Sequence, residues 1–331
     1  MKGKPAVPHV PEHINIISSN IELNGRGDAR VRTAAHCAWT EAGAHLVLQQ
    51  ELPDGAADGK AVMYDAENRL TMQHVLGSGS YTALFYDREV FTCLREWEHG
   101  RRAWSAPPAA ASLRLVGTGP AAVPLLPVAA HLSYDSYTQR ETEGGWLSAY
   151  ADKKHMIDGV PYAMPAIIGV DRNSYRAGDP NTPRLEEIPN LPHRAHRSRP
   201  GPGGTRVMDT VPDETLHLAG LVDVLGHLAA TRDVSKMTTM AASTTHGPAT
   251  TVDAVYADYR LLPALVDAEI IDMRGTSDHD AVLTRWHWAT LAELLSDQTL
   301  WHPDCQTPPE PAYPRPDLNL RQGTFSLLRT A

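Results

Sequence analysis

Six short β-prone runs, each meeting polar or charged side chains at one end, constrain this chain more than any other feature. Residues 14–18 (INIIS) lead into Ser19-Asn20, residues 45–48 into Gln49-Gln50-Glu51, residues 124–130 into His131, and residues 166–170 into Asp171-Arg172-Asn173. Residues 251–256 carry Asp253 inside a β-branched stretch, and residues 281–286 follow directly on Thr276-Ser277-Asp278-His279-Asp280. Apolar runs of this length read as buried strands. A charged group at a strand tip is costly to desolvate unless it meets a partner, a metal or a substrate. A single such tip is a turn. Six of them, of types Asn, Glu, His, Asp-x-Asn, Asp and Asp-His, point to a shared site.

Helical patterns lie between the strands. Residues 28–44 place Val31, Ala34, Ala35, Ala38 and Trp39 near a 3.6-residue period, with Gly43 as terminator. Residues 138–156 interleave charged and apolar positions. Residues 212–230 open with Pro212-Asp213-Glu214, a good first turn, and predict one helix. Residues 259–266 contain Pro263 and predict a short helix or turn after a strand. Alternating strands and helices over 331 residues predict an α/β chain with one core.

Composition excludes several classes. With 42% hydrophobic and 21% charged residues the chain is neither disordered nor a coiled coil. Its longest apolar run, residues 119–130, is broken by Pro120, Pro124 and Pro127 and falls short of the roughly 18 residues of a membrane span. The start, KGKPAVPHVPEH after Met1, is too polar and Pro-rich for a secretory signal, so a cytoplasmic location is expected. The net charge of −9 argues against a protein that coats long nucleic acids but leaves room for a local polyanion site. Cys37, Cys93 and Cys305 form no CxxC and no disulfide framework, and buried reduced thiols are expected. The strongest charge bias is residues 172–206, where seven arginines face Asp179, Glu186 and Glu187, a local excess of +4. This segment is either a solvated loop or a phosphate-facing loop beside the site; it begins directly after Asp171.

Carboxylate and amide oxygens at the strand tips suit Mg²⁺ or Mn²⁺, hard cations that commonly share their shell with a phosphate. No HExxH or Cys-rich pattern offers zinc a site, and His193 with His196 is a weak one. No GxGxxG, P-loop or GxSxG is present.

Taken in order, INIISSNIELNG, LVLQQE, VAAHLSYDSYTQR, AIIGVDRNS, TTVDAVYAD and GTSDHDAVLTRW resemble the successive motifs of the endonuclease/exonuclease/phosphatase superfamily. That group includes pancreatic-type deoxyribonucleases, abasic-site endonucleases, inositol polyphosphate 5-phosphatases and bacterial sphingomyelinases. The resemblance implies a four-layer α/β sandwich, two mixed β-sheets packed face to face and flanked by helices. It implies Glu51 as principal metal ligand with Asn20 and Asp278 nearby, and Asp171 as the group that aligns or deprotonates the attacking water. Asn173, on the same strand face if the chain stays extended, resembles a phosphate-orienting amide. His279 resembles the imidazole on the scissile phosphate, Asp253 the carboxylate that fixes its tautomer, His131 a second phosphate-side group, and Arg140 a supporting arginine. Arg194, Arg197 and Arg199 of the basic loop are expected to bind substrate.

Departures from the family pattern leave the substrate subgroup open. Ser18-Ser19-Asn20 replaces Thr-Trp-Asn, Val170 stands where Gly usually precedes the Asp, Arg172 replaces a hydrophobic residue, and Thr251 stands where Arg is common. The expected organisation is an N-terminal extension (1–13), a catalytic domain (14–290) with a Pro/Gly-rich basic loop (174–210), and a C-terminal helix and tail (291–331) on the same domain. The expected activity is a metal-dependent phosphodiesterase, with nucleic acid as first substrate. A small phosphorylated metabolite or lipid headgroup is the alternative, and a non-catalytic binding protein on the same fold is a further one. No protein partner is expected.

Overall fold

Two parallel strand pairs, each joined through a helix, organise the chain. In the computed structural model, which describes residues 10–98, 102–231, 237–273, 275–303 and 305, β1 (His13–Asn20) lies parallel to β2 (Leu46–Gln50), and β7 (Leu126–His131) lies parallel to β10 (Ala166–Asp171). Parallel neighbours need a crossover. Here the crossovers run through helices Ala29–Glu41 and Tyr137–Ser148, whose first turns are capped by Asp28, accepting from the Arg30 amide, and Ser136, accepting from the Gln139 amide.

Antiparallel strands extend each pair. In the first sheet the order is β15 (Leu265–Ile271), β16 (Ala281–His287), β1, β2, β4 (Thr82–Tyr86), β3 (Gln73–Leu76). In the second it is β13 (Leu221–Asp223), β14 (Asp253–Asp258), β10, β7, β6 (Ala109–Leu115), β5 (Phe91–Glu96). Two hairpins, β8 (Lys154–Ile157) with β9 (Val160–Ala163) and β11 (Ser198–Pro200) with β12 (Arg206–Met208), complete the strands. The expected architecture is present: two mixed six-stranded sheets packed face to face with helices outside.

Register decides which residues enter the layer between the sheets. Ser18 pairs with Leu48 and Gly169 with Ala129 and Val255, and Gly169 faces both Ser18 and Leu48. A Cβ on Gly169 would lie 2.7 Å from Leu48 Cβ, so glycine sets how closely the sheets approach. This accounts for a glycine one residue earlier than the family motif places it. On the outer face of the first sheet, Ile17, Val47, Phe85 and Leu283 pack against Ala35 and Trp39 of helix Ala29–Glu41 and against Met63, Ala66 and Leu70 of helix Ala61–Leu70.

Three expectations need correction. The single helix expected over 212–230 is two, Val211–Leu218 and Val224–Thr231, separated by β13. Gly220 adopts φ 80°, which ends the first helix, and Leu221–Asp223 then pair with β14 at the sheet edge. Helical periodicity continues across that break, so the pattern conceals it. The expected helix over 138–156 ends earlier, passing through a 3₁₀ turn at Ala149–Asp152 into β8. Of the thiols expected to be buried, Cys37 and Cys305 are exposed and Cys93 is half-buried; all three are free. No helix among the described residues is long and apolar enough to cross a membrane. Residues 1–9 of the expected extension and residues 306–331 of the expected tail lie outside the described residues.

Candidate active site

The strand alternation that puts Gly169 between the sheets also puts Asp171 there, one pleat further on. Asp171 pairs with His131 of β7 and with Asp253 of β14, so three tip residues of the second sheet share one face. From the first sheet, Asn20 lies two residues beyond Ser18 and enters the same layer. Its amide donates to Asp171 Oδ2 at 3.0 Å, closing the gap between the two sheets.

Glu51 would point away by strict alternation, because its neighbour Gln50 faces inward. The backbone corrects this by turning left-handed at Glu51 (φ 61°), a conformation that costs a non-glycine residue and concentrates at functional positions. Glu51 Oε1 then accepts from Asn20 Nδ2 at 3.0 Å, and Oε2 accepts from the Leu23 amide at 2.8 Å. His131 Nε2 stands 3.4 Å from Glu51 Oε1 and 3.6 Å from Asp171 Oδ2. Burial alone would raise the Glu51 carboxyl, but His131, the Leu23 amide and Asn20 hold it down at about 2. It is therefore charged at neutral pH. Burial likewise opposes charge on His131, yet Glu51 and Asp171 raise its pKa above the ordinary histidine value.

Asn173 arrives by a different route from the expected extended strand. β10 ends at Asp171, and Asn173 is left-handed (φ 51°). Its amide N–H donates back to Asp171 Oδ1 at 2.8 Å, a local turn that Asp favours. The side chain donates to Leu132 O at 3.0 Å and lies 3.4 Å from His131 Nε2, so it still reaches the tip of β7.

His279 stands at the other side of Asp171, just before β16. Ser277 Oγ accepts from the His279 amide at 3.1 Å and from the Glu22 amide at 3.2 Å, which ties this turn to the one that holds Glu51. Asp280 secures it from below by accepting from the Met273 amide at 2.8 Å. Asp253 Oδ2 lies 2.8 Å from His279 Nδ1, leaving Nε2 without a hydrogen bond among the described residues. Asp278 Oδ1 is 4.0 Å from that Nε2, and the Asp278 side chain is 44% exposed, at the rim. Burial opposes charge on His279, but Asp253 first, then Asp171 and Asp278, raise it to about 10. The imidazole therefore carries a proton on both nitrogens at neutral pH and can donate from Nε2. Removing the main raising charge has a signed consequence. The alkaline limb of the pH–activity profile is expected near 10 in wild type, and in Asp253→Asn it should move down by at least one pH unit. An unchanged limb would detach His279 from the activity.

The donor set fits a hard divalent cation. One ligand atom each from Glu51, His131 and Asp171 lies within 4.8 Å of the others, and so does one each from Asp171, Asp253 and His279; Asp171 belongs to both groups. Asn20 Oδ1 and Asp253 Oδ1 are buried without a hydrogen-bond partner, acceptors facing no donor. Carboxylate and amide oxygens in this number are what Mg²⁺ or Mn²⁺ take, with water completing the shell.

The arginines expected at the substrate differ in how far the protein itself uses their donors. Arg140 is fully buried and spends its donors on the protein: Asp209 Oδ2 at 2.8 Å, Ser133 O at 2.8 Å, and the carbonyls of Tyr134 and His196. It braces the basic loop against the tip of β7, as a supporting arginine would. Arg194 donates to the carbonyls of Ile188 and Glu186. Several of the loop's arginines are also ion-paired inside the fold. Arg172 pairs with Asp213 and Asp223, Arg176 with Asp179, and Arg184 with Glu186 and Glu187. Among the described residues, Arg197 and Arg199 keep guanidinium N–H groups that are buried and without a hydrogen-bond partner.

Tyr81 is a neighbour that sequence reasoning did not single out. Its ring meets His131 edge-on at 5.3 Å between centroids, and burial, then Glu51 and Asp171, push its hydroxyl up to about 12. It precedes β4 directly, and only the pairing of β4 with β2 carries it to Glu51, so no local pattern marks it.

This arrangement of sheets recurs in solved structures. An endonuclease/exonuclease/phosphatase protein from Bacteroides vulgatus matches 82% of this chain and 98% of its own, with TM-score 0.56 and 15% identity. The fold is that of the endonuclease/exonuclease/phosphatase proteins. D. rerio TDP2, in a structure that holds a single-strand DNA product, matches 83% of this chain and 99% of its own (TM-score 0.54, 14% identity). A mannosyl-6-phosphatase from Bacteroides thetaiotaomicron matches 82% and 98% (TM-score 0.53, 12% identity). No protein-family model and no curated protein matches the chain. The endonuclease/exonuclease/phosphatase fold is thus shared over nearly the whole of each neighbour, at identities too low to carry substrate with it.

Proposed function

We propose that the protein is a divalent-metal-dependent phosphoesterase. The observation that carries this reading is the position of Asp171, which belongs at once to the Glu51–His131 group and to the His279–Asp253 pair. A phosphate seated between them would meet the charged Nε2–H of His279 on one side. Asp171 on the other side would accept a proton from water as the water oxygen bonds to phosphorus and the ester P–O bond breaks. Asn173, held by its own turn, would orient a phosphoryl oxygen, and His131 would supply a second donor. Glu51, with Asn20 and Asp278, would hold Mg²⁺ or Mn²⁺, which when bound polarises a phosphoryl oxygen and offsets charge on the leaving oxygen.

For the substrate we favour a nucleic-acid phosphodiester, supported by the DNA product in the TDP2 neighbour and by the unpartnered Arg197 and Arg199. A small phosphorylated metabolite is the second reading. The internal pairing of Arg172, Arg176 and Arg184 favours it, as does the mannosyl-6-phosphatase neighbour.

The purified protein, supplied with Mg²⁺ or Mn²⁺, should be screened against DNA, RNA and a panel of phosphometabolites, with Glu51→Gln as control. We expect turnover of at least one class and a loss of about 100-fold or more in Glu51→Gln. No turnover of any of them, with Glu51→Gln indistinguishable from wild type, would instead make this a binding protein. Salt separates the two substrate readings. Polymer affinity should fall about tenfold or more between 50 and 200 mM salt, as counterion release from several phosphates requires, whereas a metabolite's affinity should stay nearly flat.

A further inference from the structure

Beside the catalytic pocket a buried arginine has no counter-ion. Arg197 is 3% exposed, its Nε and Nη1 are buried without a partner, and among the described residues its side chain makes neither a hydrogen bond nor an ion pair. An isolated guanidinium out of water is costly, and folded proteins pair it or leave it for a ligand. The groups around it are mainly rings, and Asp209, whose amide donates to the Arg197 carbonyl at 3.1 Å, gives its carboxylate to Arg140. Arg197 lies 6.0 Å from the Tyr134 ring, Tyr134 is 5.4 Å from His196, and its hydroxyl is 3.2 Å from His193 Nε2. His193 meets His246 edge-on at 4.3 Å. The Nδ1 atoms of His193 and His196 are buried and unpartnered as well.

These rings are not arranged as a metal site, since no three of their ligand atoms converge as the catalytic ones do. They offer N–H and O–H donors around a fixed positive charge, which is the chemistry of an oxyanion pocket. Burial, with the nearby cations next, lowers His193 to about 4, so it stays neutral and can present one N–H donor. The cluster adjoins the active site by chain and by field. Tyr134 is three residues past His131, and His246 lies close enough to Asp278, His279 and Asp171 to feel their charges.

We infer that Tyr134, His193, His196, Arg197 and His246 form a second oxyanion subsite that takes a phosphate group adjacent to the one being cleaved. Its placement relative to the scissile phosphate rests on the phosphoesterase reading above; the binding of phosphate does not.

The test is thermal unfolding of the full chain titrated with inorganic phosphate, in EDTA and again with Mg²⁺, alongside Arg197→Met. In EDTA the catalytic carboxylates repel phosphate, so a saturable rise in Tm, about 2–4 °C at ten times Kd, reports the second site. Arg197→Met should lose that rise while unfolding no earlier than wild type without phosphate, because it removes an unpaired buried charge. No rise in wild type, or a rise that survives in Arg197→Met, overturns the proposal. If Arg197→Met does not fold, phosphate-dependent shifts of the His193, His196 and His246 ring signals by NMR decide in its place; unmoved signals overturn it. Kinetics then separates the sources of phosphate. A tenfold or larger loss of kcat/KM on a 5′-phosphorylated dinucleotide, with less than twofold on a chromogenic diester bearing one phosphate, assigns the subsite to substrate. Relief of inhibition by inorganic phosphate, with both rates unchanged, assigns it to the released product. Should no phosphoester be turned over at all, the phosphoesterase reading fails and the binding arm still stands.

Discussion

Asp171→Asn is expected to lower kcat by about 10³-fold on any phosphoester the protein cleaves, within the usual range for removing a positioned general base. The substitution keeps the shape of the side chain, removes its charge and basicity, and turns one of its two accepting oxygens into a donor. Fold and binding should therefore survive. Asp171 is 1% exposed and lies among Glu51, Asp253 and Asn20, so its charge is held at a cost offset by the Asn20 and Asn173 donors. Neutralising it relieves repulsion with Asp253 but forfeits attraction to His131 and His279, so Tm should change little. On the proposed reading KM should change little, since His279, His131 and Asn173 would carry the phosphate contacts. Steady-state kinetics on a chromogenic phosphodiester, paired with thermal unfolding, gives the result. A loss of less than tenfold in a folded variant would remove Asp171 from the chemistry.

Arg172→Met should cost about 3–5 kcal/mol of folding stability, the usual penalty for stripping one partner from a buried ion pair. Arg172 is wholly inaccessible to solvent. Its guanidinium reaches Asp213 Oδ1 at 3.2 Å, Asp223 Oδ2 at 3.3 Å and the Tyr256 hydroxyl at 2.8 Å, and it also donates to the carbonyls of Thr251 and Val252. Burial works against its charge, but Tyr256, Asp223 and Asp213 hold its pKa above the ordinary arginine value. Removing it leaves two carboxylates buried at once. The effect extends to the site, because Arg172 separates Asp171 from Asn173 and binds the chain just ahead of Asp253. Urea unfolding should show the loss, and Arg172→Met/Asp213→Asn/Asp223→Asn should recover much of it, since no unpaired charge then remains. A single variant within 1 kcal/mol of wild type would contradict this account.

Arg172 also illustrates how a residue can be noticed in sequence and misread. As a departure from the family motif it raised a question of substrate, yet its partners sit 41 to 84 positions away and make it a strut. The surplus of arginine in residues 172–206 was plain, but a count cannot tell which guanidinium meets Asp213, which a carbonyl, and which nothing at all.

The chain's own pattern determined the strand tips. Asn20, His131, Asp171 and Asp253 are legible because strand alternation and apolar runs are local properties, and a polar residue closing such a run has few structural uses. Tertiary structure alone decided the rest. Glu51 reaches the site only through a left-handed turn that local propensity disfavours and long-range contacts enforce. Gly220 breaks a helix whose periodicity continues past it, because the sheet edge at β14 offers Leu221–Asp223 a better partner. Arg197 acquires meaning from buried guanidinium N–H groups left without a partner, and which groups surround a side chain is settled by packing between distant segments, whatever its neighbours in sequence.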